Sequence, residues 1–519
     1  MSENNILSLD EFTQGLKKAA YGDSETSAAQ TETPERQSNV VVLRRICFDC
    51  GVKAFYPINV EGVFVRYPRK AHFEVNSVRS RRFRSWLSKK FLISQGTEAK
   101  SADIDSAIVL LEDDAVDEPR HEIFTRLAGH EGKIYVDLCN DEYEVIEVDG
   151  IGWRVIQNPS VWFARHQSMR PLPYPTPNGS LERLREFSNL SDEDFILFVS
   201  WIVSSANPDG PFLVLAISSE HGSGKSALST VAKSILDPNS AMRLAPPKDG
   251  DAVFATASAQ RVLIYDNLKK IDQGFSDVLC RLATGGTISK RALHTDNDVF
   301  SFSAKRPIIL NGIAPSLGGL DLVSRTIQIR TLPISESHRL TESAFFAKFD
   351  EACPAIFGAL LKAISCAIKM KDYTPCSLPR MADAAAFVIR AEAGGGLPWE
   401  EGTFFKTFTD KERRKEDEAL EGDPVAAKIM LLSENVWKGS AKELLFEITK
   451  DLTAEEKKFV PQTPRGLSAK LLELAPLLRS RGIVCERSET PYLGHHHVTI
   501  YKTEPKEEDQ KSAFSFLDR

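Results

Sequence analysis

The chain has 519 residues, 42% hydrophobic and 26% charged, with a formal net charge of −7. That length allows roughly three to four domains, and the acidic balance excludes a uniformly basic coat, so any nucleic-acid surface must be local. Eight scattered cysteines form no disulfide framework and point to a reducing cytoplasm, the N-terminus does not read as a signal peptide, and no apolar run approaches the roughly 18 residues of a membrane span.

In chain order, residues 1–36 are polar and read as a disordered lead-in. Residues 37–168 alternate short apolar runs ("GVFVRYP", "KIYVDL", "YEVIEV", "GWRVI") with helical stretches, which predicts an N-terminal α+β domain. Cys47 and Cys50 in "CFDC" lack a second pair at zinc-ligand spacing and read as ordinary thiols. The segment "RSRRFRSWLSKKF" places Arg79, Arg81, Arg82, Arg84, Lys89 and Lys90 around Phe83, Trp86 and Leu87. On a helix its aromatics turn inward, leaving a basic face that is either solvated or a DNA- or origin-binding surface. "YVDL" supplies a single carboxylate, Asp137, so no primase constellation is present and a primase would be a separate protein. Residues 169–180, "MRPLPYPTPNGS", read as a linker.

Residues 181–375 carry four apolar runs, "PFLVLAIS", "RVLIYD", "RPIILNG" and "TIQIRTL", among amphipathic segments, the pattern of a parallel sheet flanked by helices. Residues 376–430 read as a helical connector whose run "DKERRKEDEALEGD" is a solvated face. In residues 431–503 three helices precede two strands around "ETPYLGHHH", which predicts a winged helix. Arg465 and Lys470 are its candidate phosphate contacts. The adjacent His495, His496 and His497 alternate in direction along a strand and read as a wing tip rather than a metal site. Residues 504–519 read as a disordered tail.

The chemistry concentrates in "AISSEHGSGKSAL". Ser219, Glu220, His221, Gly222, Ser223, Gly224, Lys225, Ser226 and Ala227 form a phosphate-binding loop in which Ser219 stands where the pattern G-x-x-x-x-G-K-[ST] has its first glycine. Inward-turned backbone N–H groups and the following helix N-terminus suit an anion. Lys225 would reach the β- and γ-phosphates, and Ser226 would bind Mg²⁺. "RVLIYDN" ends in Asp266, the carboxylate expected to hold Mg²⁺ through water, and "RPIILNG" ends in Asn311, placed to orient an attacking water. Arg325 precedes the strand "TIQIR", where an arginine can act on the γ-phosphate of a neighbouring subunit.

With "HGSGKS" (221–226), "YDNL" (265–268), "SDVLCRLATGG" (276–286), "KRPIILNGI" (305–313) and "SRTIQIRTLPI" (324–334), the chain resembles, over about residues 36–501, ATP-binding proteins of phages and integrative elements. These are AAA+ ATPases related to superfamily 3 helicases and to the helicase half of viral and plasmid primase-helicases. "EGDPVAAKIMLL" and "WKGSAKELL" match as well. The resemblance implies an α/β P-loop AAA+ core between the N-terminal α+β domain and the C-terminal winged helix. It implies a ring, a hexamer, that uses ATP and Mg²⁺ to move along single-stranded or forked DNA while a phage or mobile element replicates in a bacterial host's cytoplasm. No membrane is implied as partner, but a separate primase or replication protein is.

Catalytic positions implied are Lys225, Asp266, Asn267, Asn311 and Arg325, with Arg281 and Arg306 as alternative arginine fingers. A hairpin around "HTDND" would put Lys290, Arg291 and His294 on DNA in the central channel. Two residues depart from the family pattern: Ser219, and Asn267, which stands where a second acidic residue is usual. Asn267 takes no proton, so Asp277 and Glu220 become candidate bases, against readings as a helix-start and a loop residue. Two rival functions follow: an initiator or loader that remodels DNA without processive unwinding, and a nucleotide-sensing scaffold in phage defence.

Overall fold

The computed structural model describes residues 38–503 except 220–222, 248–249, 292–298, 317–319, 376–377, 380, 454–455 and 489–496. The expected lead-in (1–36) and tail (504–519) lie outside the described residues.

After helix α1 (Asn39–Asp49), strands β1 (Lys53–Phe55), β2 (Phe64–Arg69) and β3 (His72–Ser77) form an antiparallel meander. Alternation along β2 puts Val65 and Tyr67 on one face, in one core with Phe83, Trp86 and Leu87 of α2 (Arg81–Gln95) and Ile104 and Ile108 of α3 (Ser101–Asp114). Cys47 is buried in that core, which pushes its thiol up to about 12. Helix α2 is the basic segment. Its Ser80 cap accepts from the Phe83 N–H. Part of its charge is neutralised, since Arg84 pairs with Asp105 and the preceding Arg79 with Glu112 at 2.6 Å.

A short parallel pair, β4 (Ile123–Phe124) with β9 (Trp162–Phe163), flanks a second antiparallel sheet. Its order is β5 (Leu127–His130), β6 (Lys133–Asp137), β7 (Val145–Val148) and β8 (Trp153–Ile156). Leu127, Ile134, Val136, Ile146 and Val148 of this sheet lie in the same core as the large parallel sheet further along the chain. The proline-rich stretch 169–180 is accordingly no loose tether. Leu172 is buried and its N–H bonds to Leu138 O, Thr176 N–H bonds to Pro354 O, and a Cβ on Gly179 would stand 1.8 Å from Ala355 O. Only glycine permits so close an approach.

The parallel sheet begins after a 3-10 turn (Leu181–Phe187) and helix α4 (Asp192–Ser205). In chain order follow β10 (Val214–Ser218), α5 (Lys225–Leu236), α6 (Gly250–Ala259), β11 (Leu263–Lys270), α7 (Gln273–Thr284), the hairpin β12 (Gly286–Arg291) and β13 (Val299–Ala304), β14 (Ile308–Ser316) and β15 (Thr326–Arg330). The order across the sheet is β11-β14-β10-β15, all parallel. Its strands are continuous apolar runs because both faces are covered. Helix α8 (Glu342–Lys369) is long and apolar enough to cross a membrane, with an 18-residue window of mean hydropathy 1.5, which corrects the reading that no such run exists. Of that window 67% is buried inside the fold, where a core helix passes the same test.

Helices α9 (Ala382–Ala393), α10 (Thr403–Gly422) and α11 (Pro424–Leu432) lead to the C-terminal unit. The charge run lies on α10 and bridges elements instead of facing water alone. Lys411 pairs with Asp194, Arg414 with Glu193 at 2.7 Å, and Asp417 with Arg481 at 2.6 Å. Beyond it come β16 (Trp437–Ser440), α12 (Ala441–Thr449), α13 (Pro464–Ser480), β17 (Ile483–Arg487) and β18 (His497–Lys502), the strands in antiparallel order β16-β18-β17 around a separate core. Trp437–Ser440 is thus a strand where a helix was expected, because the stretch pairs with β18 before Ser440 caps α12. Lys470 bonds inward to Asp423 at 3.0 Å, which removes it as a ready phosphate contact. Arg465 lies in the first turn of α13, His497 opens β18, and His495 and His496 lie outside the described residues.

One buried polar cluster joins these parts. Arg126, fully buried, donates to Asp237 Oδ1 (3.1 Å), Asp137 O (3.1 Å), Arg170 O (2.8 Å) and Pro238 O (3.0 Å). The other oxygen of Asp237 accepts from the backbone N–H groups of Arg261 (2.8 Å) and Val262 (3.1 Å). Beside it, burial brings the Lys233 ammonium down to about 8, although its Nζ donates to Gln260 at 2.5 Å. Removing one partner of a buried, saturated pair strands the other. Arg126→Met is therefore expected to lower stability by about 3–5 kcal/mol, read as the shift in a urea-unfolding midpoint; an unchanged midpoint would refute a joining role.

Candidate nucleotide site

The loop between β10 and α5 opens at the C-terminal edge of the parallel sheet, where strand carbonyls end and a helix N-terminus begins. Gly224 caps α5 at φ 83, a conformation that favours glycine, and a Cβ there would also press on Ile334 Cδ1 at 3.3 Å. Ser219 is buried. Its Oγ bonds to Ser223 Oγ, and Lys225 Nζ donates to Ser219 Oγ (2.8 Å) and Ser219 O (3.2 Å). Thr331, just past β15, bonds Ser223 Oγ at 3.0 Å and braces the loop from the far side. The residue in place of the usual glycine thus holds the loop's lysine. Partial burial lowers the Lys225 ammonium below its ordinary range, and the charge of Asp266 opposes that shift.

Asp266 ends the regular part of β11, two strands from β10. Ser226 Oγ donates to Asp266 Oδ2 at 3.1 Å. A hydroxyl and a carboxylate so paired fit the oxygen-rich, water-retaining coordination of Mg²⁺. Asn311 lies on β14, between the strands of Asp266 and the loop; its Nδ2 donates to Ser229 Oγ at 2.8 Å. Its buried Oδ1 has no hydrogen-bond partner among the described residues. Lys225, Ser226, Ala227, Asp266, Asn267 and Asn311 all line one cleft of about 840 Å³ with Ser223 and Gly224, a volume in the range of small-molecule sites. Glu220, His221 and Gly222 lie outside the described residues.

Asn267 has a backbone reason to be asparagine. The register of β11 on β14 shifts between Tyr265 and Leu268, a bulge, and Asn267 sits in it at φ 59. Asparagine is among the few non-glycine residues that enter this region readily. Asp277, the alternative base, lies on α7, bonded to Gln273 at 2.8 Å and absent from the cleft lining.

The three arginine candidates lie at the other end of the sheet. Arg325 O accepts from Val214 N–H, which places it before β15 at the N-terminal edge, paired with Asp321 at 2.9 Å. Arg325 Nη1 also reaches Thr284 Oγ1 at 3.5 Å, near the end of α7 where Arg281 stands exposed. Arg306 is held inward by the carbonyls of Ala257 (2.9 Å), Gln260 (3.1 Å) and Lys305 (3.0 Å), and burial brings it down to about 10. With Nε and Nη1 tied to these carbonyls, it is anchored in the fold and not a free finger. Lys290 and Arg291 lie on β12, at the end of the hairpin away from α7; His294 lies outside the described residues.

The sequence reading missed Arg243. Leu244 N–H bonds to Ile264 O (2.8 Å) and Asp266 N–H to Leu244 O (3.0 Å), fixing Arg243 beside β11, with Nη1 3.8 Å from Asp266. It also missed Phe187, Leu340 and Phe345, an apolar wall on the same cleft. Periodicity carries no signal for either: Arg243 and Leu340 lie in connections, while Phe187 ends a 3-10 turn and Phe345 sits in the first turn of α8, where an apolar residue reads as ordinary core.

Two family models match the chain: the actinomycete integrative conjugative element replication protein over residues 179–402, and the C-terminal domain of the same replication protein over residues 425–512. No curated protein matches. Among solved structures, the apo C-terminal region (305–718) of NrS-1 is 11% identical, covering 90% of this chain and 100% of its own, at a TM-score of 0.40. SCCmec type IV Cch, described as an active helicase, is 12% identical and covers 89% of this chain and 94% of its own, at 0.42. The JCV helicase is 13% identical and covers 42% and 70%, at 0.20.

A left-handed position predicts a simple substitution pattern. Asn267→Gly should leave stability nearly unchanged, whereas Asn267→Val should cost about 1–2 kcal/mol, as urea-unfolding midpoints would show.

Proposed function

Because the chain belongs to the replication proteins of actinomycete integrative conjugative elements, we propose that it is an ATP-driven DNA translocase, a helicase working in the element's replication. The observation that carries this reading is the convergence of Lys225, Ser226, Asp266 and Asn311 from three neighbouring parallel strands on one cleft. That topology supports a P-loop AAA+ core. The C-terminal unit, helices with a small antiparallel sheet, supports a winged helix, and the host cytoplasm follows as its place of action.

In this mechanism ATP enters with its base against Phe187, Leu340 and Phe345. Lys225 leaves Ser219 for the β- and γ-phosphates, and Gly224 offers its N–H at the helix N-terminus. Ser226 and Asp266 would hold Mg²⁺, which when bound would supply charge neutralisation of the phosphates. The free acceptor of Asn311 orients a water in line with the γ-phosphate. Catalysis of this kind depends chiefly on positioning and charge, so it does not need a strong base at Asn267. Arg243 lies on the phosphate side, where a second cation in the same chain distinguishes ATP from ADP.

Arg325 cannot serve its own cleft from the opposite edge of the sheet, so its contribution requires a neighbour, as in a ring. The hairpin with Lys290 and Arg291 leaves from that same edge and would meet single-stranded DNA in the channel. An initiator that remodels DNA without processive unwinding is the second reading, favoured by the absence of a carboxylate at Asn267. Forked DNA separates the two, since an initiator would hydrolyse ATP and displace little strand.

Lys225→Ala should reduce DNA-stimulated ATP hydrolysis about a hundredfold or more, and intact turnover would refute the site. Arg325→Ala should reduce it about a thousandfold, yet mixing that variant with Lys225→Ala chains should restore part of the activity, because mixed boundaries regain one intact site. No recovery on mixing would count against action across subunits. Arg243→Ala should weaken ATP binding about tenfold while leaving ADP binding nearly unchanged, read with fluorescent analogues of both nucleotides.

A further inference from the structure

The family matches begin at residue 179, and the sheets before it hold a second cleft. It is a small cavity of about 50 Å³ between the β1-β2-β3 and β5–β8 sheets, lined among others by Arg66, His72, Phe73, Tyr143, Trp162 and Arg165. Alternation on β2 sends Arg66 to the face opposite Val65 and Tyr67, away from the helical core. There its guanidinium lies 3.5 Å from the centroid of Phe73 and 5.3 Å from that of Trp162. Among the described residues it has no carboxylate or hydrogen-bond partner, and desolvation alone lowers its affinity for its proton. Held against two rings, the half-buried guanidinium keeps donors that water or an anion can take, and an anion gains the charge-assisted bonds.

The carboxylates nearby are already engaged. Asp137 takes two bonds from Arg165 (2.9 and 2.5 Å), and Glu74 takes bonds from Tyr67 (2.8 Å) and Arg69 (3.2 Å). Neither is left to neutralise Arg66. His72 stacks on Tyr143 at 3.6 Å, and its buried Nε2 makes no hydrogen bond among the described residues, with Glu74 Oε1 the facing carboxylate at 3.9 Å. Arg82 of α2 adds positive charge from the basic helix at Tyr143. The space admits a group the size of a phosphate and no base, while Phe73, 38% exposed at the mouth, offers a ring on which a base can stack.

We propose that this cleft binds one backbone phosphate of a single-stranded nucleic acid, with Arg66 and His72 as donors and Phe73 as the stacking platform. The site is separate from the nucleotide cleft and makes the sheet junction, more than the outer face of α2, the N-terminal contact. The test is anisotropy of a labelled oligo(dT) on the full chain without ATP, across a salt series, so that failure of the ATPase reading leaves it intact.

Arg66→Gln should weaken binding about tenfold and reduce the slope of log affinity against log salt by about one. Phe73→Ala should weaken binding several-fold at an unchanged slope. Arg66→Lys, which keeps the charge, should retain the slope and serve as the folded control. Unchanged affinity and slope in Arg66→Gln would overturn the proposal. So would an Arg66-dependent change in tryptophan fluorescence with inorganic phosphate but no effect on oligo(dT), which would mark a free-anion site.

Discussion

A buried arginine stands behind the geometry of the nucleotide cleft. Arg126 brings a charge into the interior, which is tolerable only because a carboxylate and three carbonyls take its donors. Its partner Asp237 closes helix α5, and Asp237 in turn accepts from the backbone at the start of β11. The near end of α5 carries Lys225 and Ser226, and the far end of β11 carries Asp266. One polar cluster therefore fixes the base of both elements whose opposite ends meet at 3.1 Å. The same arginine reaches Arg170 and Asp137, so the second antiparallel sheet and the proline-rich strap share that frame.

Polarity of the parallel sheet divides the chemistry in two. The C-terminal edge holds the loop, Asp266 and Asn311; the N-terminal edge holds Arg281 and Arg325 and the root of the hairpin. On the proposed mechanism these two sets lie on opposite faces of one chain, the arrangement that head-to-tail stacking would use. The ion pairs of α10 to α4 and α13 tie the C-terminal unit to the same body.

What could be read from the sequence was what repeats or clusters locally. The four parallel strands stand out as apolar runs because both faces of that sheet are covered, and the loop, Asp266 and Asn311 sit at their ends, where turn chemistry is local. The strap 169–180 was misread because prolines mark irregular backbone equally in a tether and in a packed segment. The charges of α10 were misread because partners such as Glu193 lie more than 200 positions away. Trp437–Ser440 became a strand through pairing with β18, which follows only after two intervening helices and β17. Arg126 and Arg66 are indistinguishable in sequence from surface arginines, since burial is decided by contacts that no local pattern encodes. Asn267 was legible as a departure, but its cause, a left-handed bulge, is visible only in the backbone.

The contact between Ser219 and Lys225 has one more consequence. The Lys225 ammonium, half-buried in the loop, gives donor bonds to both oxygens of Ser219. A phosphate drawing on that ammonium would first have to displace the serine, which trades tightness of binding for a loop already held in shape. In the proposed ATPase cycle, that competition would set the lowest nucleotide concentration at which the site fills.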